Sequence, residues 1–170
     1  MEYAARILLN GANVCCPHTN EDIAYKTQVL LDCRFRVPVS SSPVDQIIAI
    51  SPNVFYHRVT LIPGPSLCGS LGYKISVSGI LDVAIEYVGA DDDQYLCITH
   101  YNPSYHGLIC GTCDGEPIYE DSKDLVKGGL HTCIEYLDVE PVDRRAIQLV
   151  AVLMIWIDSR GKCLRCIQDH

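Results

Sequence analysis

Residues 73–88, YKISVSGILDVAIEYV, constrain the fold more than any other stretch. Tyr73, Ile75, Val77, Leu81, Val83, Ile85 and Tyr87 share one parity, and Lys74, Ser76, Ser78, Asp82, Ala84 and Glu86 share the other. Side chains on a strand alternate between faces, so this segment predicts a strand with one apolar face and one wet face. A 3.6-residue period would scatter the same apolar positions around a helix axis. Gly79 interrupts the apolar parity, and an interior glycine marks a bulge or a close backbone approach. The strand is expected to stop at the acidic turn Gly89-Ala90-Asp91-Asp92-Asp93.

The same alternation recurs along the chain. In residues 23–37, Ile23, Tyr25, Val29, Leu31, Cys33, Phe35 and Val37 oppose Lys26, Gln28, Asp32, Arg34 and Arg36. Two further strands are expected at 44–50 and 54–62, separated by a turn at Ser51-Pro52-Asn53, with another turn at Pro63-Gly64-Pro65-Ser66. Short strands at 95–101 and 106–110 flank Asn102-Pro103, and residues 110–129 read as a surface loop. A strand at 132–139 and a turn at 141–145 precede the last long strand, 146–157. That strand is apolar on both parities, which requires a central position or a covering partner. Eight to ten strands between Gly/Pro turns, with no convincing amphipathic helix, predict an all-β fold, a two-sheet sandwich of jelly-roll type. The expected organisation is an irregular N-terminal arm, residues 1–22, followed by one β-sandwich domain, residues 23–170.

At 170 residues the chain is long enough for a real core. No run approaches about 18 consecutive apolar residues, so no membrane partner is expected, and the N-terminus does not read as a secretory signal. A net charge of −8 with no basic cluster argues against a nucleic-acid partner. The six histidines are scattered; only His100 and His106, bracketing 101–105, suggest a site, and Asp91-Asp92-Asp93 reads as a solvated tip. A Cys110/His106 pair is the sole nucleophile–base arrangement open to proposal, and nothing in the spacing supports it, so no catalytic residue and no cofactor are expected.

Cysteine is the anomaly. Ten occur, a disulfide-scaffold density in a chain whose start does not read as an export signal. Cys15 and Cys16 are adjacent on the arm; a bond between neighbours is strained, so each is free to bond elsewhere, in another subunit or in its own body. Cys110-Gly-Thr-Cys113 and Cys163-Leu-Arg-Cys166 form two CxxC hooks. Disulfides are the favoured reading, with Cys163 and Cys166 near the chain end able to reach a neighbour. Four thiolates of Cys110, Cys113, Cys163 and Cys166 holding zinc in a binding module are the alternative. Cys33, Cys68, Cys97 and Cys133 read as intramolecular disulfide or buried-thiol positions, with a bond between Cys68 and Cys97 one option.

Two blocks, residues 54–88 and 133–157, resemble the SPOCS-type domain found in spore-coat and spore-morphogenesis proteins of endospore-forming bacteria. The matching residues are Gly72, Val77, Gly79, Tyr87, Val88, Ile134, Glu135, Val139, Asp143 and Arg145. No catalytic residue belongs to that pattern. The cysteine load is heavier than is usual for the domain, and the arm resembles, as a device, the cysteine-bearing arms that cross-link subunits of spore appendages. The resemblance implies a structural protein of the spore coat, exosporium or appendage, made in the mother-cell cytosol and exposed to oxidant after lysis. Its expected partner is itself, in a homopolymer locked by intermolecular disulfides, and other spore coat proteins are further expected partners.

Overall fold

A computed structural model describes residues 8–9, 23–65, 71–91, 93–111, 118–119 and 129–158. Its elements are β1 (Leu8–Leu9), β2 (Ile23–Arg36), β3 (Val44–Pro65), β4 (Leu71–Gly89), β5 (Leu96–Tyr101), β6 (Ser104–Ile109), β7 (Leu130–Asp143) and β8 (Ala146–Asp158). One sheet runs β1-β3-β4-β5, with β6 also paired to β4; the other runs β2-β8-β7. All pairings are antiparallel except β1 with β3, where Leu8 and Leu9 lie beside Ala49 and Ile50. The expected all-β two-sheet sandwich is the fold. The first long strand lies beside the last, the return that Greek-key sandwiches use to close.

The parity of β4 sets the core. Ile75, Val77, Leu81, Val83, Ile85 and Tyr87 are fully buried, and they face Ile147, Leu149, Leu153, Ile155 and Ile157 of β8 in one continuous cluster. Each such side chain contributes roughly 1.5–3 kcal/mol on leaving water. β8, apolar on both parities, is the central strand of its sheet. Its second face carries a smaller buried cluster of Met154 and Trp156 with Ile23 and Cys133.

Two glycines let the layers approach. Gly79 stands opposite Tyr105 on β6 and Tyr56 on β3. A side chain there would collide with the Phe55 carbonyl and the Tyr105 ring. The register shifts beside it, between Tyr56 and Arg58 on β3. Gly79 therefore marks both a close approach and a neighbouring bulge. A side chain on Gly107 of β6 would meet Ile155 and come within 3.2 Å of Val29, across the sandwich.

Three expected turns are strand instead. Ser51, Pro52 and Asn53 pair with Ala84, Val83 and Asp82, so 44–50 and 54–62 are one strand; Pro63, Gly64 and Pro65 continue it to Leu71. Pro141 pairs with Ile147, which confines the last hairpin turn to Arg144-Arg145. The physical reason is shared. β7 is an edge strand, and β3 is flanked by β1 only at Ala49 and Ile50. On an edge a proline's missing N–H costs no ladder bond. The strand expected at 106–110 begins at Ser104 and ends at Ile109.

One end of the sandwich is tied together by polar groups. Asp143 Oδ1 accepts the Arg145 backbone N–H at 2.7 Å, an Asx-type turn, and Asp143 Oδ2 accepts from Arg34 Nη2 at 3.2 Å. Arg145 Nη1 donates to the carbonyls of Pro38 (3.0 Å) and Ser41 (2.9 Å). Tyr87 donates from its hydroxyl to the Ser42 carbonyl at 3.1 Å. The hairpin turn and the β2–β3 connection are thus held by the same residues.

Candidate functional site

The residues that carry the SPOCS resemblance occupy scaffold positions. Val77, Tyr87, Ile134 and Val139 are core, and Gly79 is the close approach under Tyr105. Asp143 and Arg145 form the turn clamp just described. The backbone hydrogen bond from Arg145 above all, helped by that from Ala146 and by the nearby guanidiniums of Arg36 and Arg34, outweighs desolvation and holds the Asp143 carboxyl below the ordinary range.

The cysteines fall into three groups. Cys33, Cys97 and Cys110 carry free thiols and are half-buried. Cys33 packs against the core beside Tyr101, whose ring stacks on Phe35 with centroids 4.2 Å apart. Burial and then the neighbouring Cys33 push the Tyr101 hydroxyl's pKa up. Cys97 lies opposite Tyr87 in the β4–β5 ladder and donates to the Tyr95 carbonyl at 3.7 Å. Its free thiol is the alternative to a bond with Cys68. Cys133, 1% exposed and opposite Met154, is disulfide-bonded. Cys15, Cys16, Cys68, Cys113, Cys163 and Cys166 lie outside the described residues.

The histidines do not converge. His100 stands opposite Ala84 and His106 opposite Ser78, six residues apart along β4, or roughly 20 Å. His100 lies 3.7 Å from Asp82, and His106 Nδ1 is 2.9 Å from Ser78 Oγ. His106 is thus engaged with a serine of β4 rather than with Cys110. Among the described residues no three metal-capable side chains gather, and three of the four cysteines of the zinc reading lie outside them. In the acidic turn, Asp91 accepts from Ser42 Oγ and Asp93 from the Tyr95 hydroxyl, while Gln94 takes a left-handed φ of 46°.

What alternation alone does not reveal is how much apolar surface stays outside. Leu30 (67% exposed) and Tyr136 (53%) share a row with Val152 across the outer face of the three-stranded sheet. Phe55 (55%) and Ile80 are neighbours on the outer face of the other sheet, and Leu96 (63%) and Ile98 project from β5. The signal available in sequence is an apolar residue on the wet parity, as at Leu30 and Ile80. Contiguous exposed apolar groups mark interaction surfaces more often than isolated ones do.

No family model, curated protein or solved structure matches the chain.

Proposed function

We infer that the chain is a structural subunit of the bacterial spore surface that self-assembles and is then locked by intermolecular disulfides. The observation that carries this reading is the pairing of exposed apolar rows on both outer faces with a surplus of cysteines over the one disulfide-bonded thiol of the described body. A sandwich that is sticky on two sides can contact two neighbours at once, and contacts that do not close on themselves propagate. Each disulfide then forms as two thiols give up two protons and two electrons to dissolved dioxygen after the mother cell lyses. A disulfide is worth roughly 2–4 kcal/mol, but here its larger effect is kinetic, since a subunit cannot leave without reduction. The bonds are assigned to Cys15 and Cys16 of the arm, with Cys110, Cys113, Cys163 and Cys166 as further positions. The SPOCS resemblance supplies the spore setting, and other coat proteins are further partners.

Mass spectrometry of peptides from oxidised assemblies tests the assignment. Mixed light- and heavy-isotope protein, assembled reduced and then oxidised, yields light–heavy disulfide peptides containing Cys15 or Cys16. Only light–light and heavy–heavy peptides would show that the bonds close within each chain.

A further inference from the structure

The two outer faces of the sandwich differ in charge. On the β3-β4-β6 face, Arg58, Ser78 and His106 form one row across three strands, with Lys74 on the same face further along β4. Phe55 and Ile80 lie in a nearby row. No aspartate or glutamate stands in the rows from Ile62 and Lys74 to Phe55 and Ile80.

On the β2-β8-β7 face, the exposed row of Leu30, Val152 and Tyr136 adjoins Asp32, Val150 and Asp138. Glu135, exposed at the β7 register shift, accepts from Gln28 at 2.7 Å, and Glu140 follows one row beyond Asp138. The cations of this face, Lys26, Arg34 and Arg36, all stand two or more same-face rows from Leu30 along β2, and Arg34 is already paired with Asp143. In a chain of net charge −8, one face therefore gathers acid beside an apolar row, while the other holds a basic patch on one side of an apolar pair, with Asp82, 3.7 Å from His100, on the other side.

We propose that the basic β3-β4-β6 face of one copy docks on the acidic β2-β8-β7 face of the next, sheet against sheet, in a head-to-tail stack. This rests on the self-assembly reading and names the non-covalent contact beneath the disulfides. Each face carries an apolar strip that must shed water. The charges beside it, Asp32, Asp138 and Glu135 on one face and Arg58 and Lys74 on the other, are opposite in sign, so the pairing attracts where these groups meet while acidic face on acidic face repels. Because the docking surfaces are different surfaces, each subunit keeps one of each free, and the stack grows without closing. The contact is limited in size. The basic patch is bounded by β6, six residues long, and three strands about 4.8 Å apart over about seven rows present roughly 350 Å², well short of the about 800 Å² per partner of a standard stable interface. Face docking therefore sets register and is reversible until disulfides form.

Sedimentation velocity in reducing buffer at low salt tests the contact without the locks. Wild-type protein is expected to grow in mass with concentration and to revert towards monomer as salt rises. Arg58→Glu and Asp138→Lys, both at exposed strand positions, are each expected to weaken association at least tenfold. The double variant restores it. An equimolar mixture of the two single variants also polymerises, in alternation, because the two unaltered faces attract each other and so do the two reversed ones. Circular dichroism matching wild type confirms that the variants fold. Single variants that associate like wild type, a double variant that stays monomeric, or a mixture that stays monomeric would each overturn the proposal. Wild-type protein that is monomeric when reduced but covalently polymeric when oxidised would overturn the face contact and leave the disulfide-locked reading standing.

Discussion

The ring of Tyr105 occupies the space that any side chain on Gly79 would need. The two residues stand opposite each other in the β4–β6 ladder, and the Phe55 carbonyl closes the same space from β3. Tyr105 is only 1% exposed, so its ring has nowhere to retreat. Gly79→Ala is expected to cost about 1–3 kcal/mol, the range for overpacking a filled interior. Urea unfolding measures it, and a variant as stable as wild type would show that the ring or the strand can move aside.

The Arg145 fork carries a second prediction. Its Nη1 serves two carbonyls, of Pro38 and Ser41, that belong to the β2–β3 connection. Lysine keeps the charge but not the planar fork. Arg145→Lys should lose about 1.5–3 kcal/mol, the worth of one charge-assisted hydrogen bond. Equal midpoints with equal slopes in denaturant would contradict this.

Asp143 makes the stability of that same end depend on acid. Its folded-state pKa lies below the ordinary 3.8, chiefly because the carboxylate accepts the Arg145 N–H. A depressed carboxyl stabilises fully above its unfolded value and loses that contribution as pH falls through the folded one. Asp143→Asn should therefore be less stable than wild type at neutral pH, and the gap should narrow as pH falls below 3.8. Denaturant midpoints of both proteins across that range decide it; a gap independent of pH would refute the charge as its cause.

Tyr105 acts at the other end of the pH scale. Burial pushes its hydroxyl from 10.0 up to about 12. An acid whose folded pKa is raised favours the folded state below its unfolded value and withdraws that support as pH climbs through the folded one. Wild-type stability should fall between pH 10 and about 12 more steeply than that of Tyr105→Phe. Parallel curves would count against a buried, late-ionising Tyr105.

Much of the fold is legible in residue alternation. The inward parity of β4 and of β2 is the core, and the doubly apolar β8 is the central strand. Pro52, Pro63 and Pro141 mislead because a proline punctuates a chain in sequence, yet an edge strand tolerates it; which strands are edges is a property of the whole sheet. The candidate site is far less legible. The cross-strand pair of Ser78 and His106 joins residues 28 apart in the chain. The rows Leu30–Val152–Tyr136 and Arg58–Ser78–His106 exist only once register is set. Thiol pairing has the same limit, because parity places Cys33, Cys97 and Cys133 on strands without saying that Cys133 alone of these is bonded.

A denaturing gel run without reductant on protein assembled and then exposed to air tests the central claim most directly. The account predicts a ladder of covalent oligomers that collapses to one 18.8 kDa band when reductant is added. A single monomer band without reductant would contradict it.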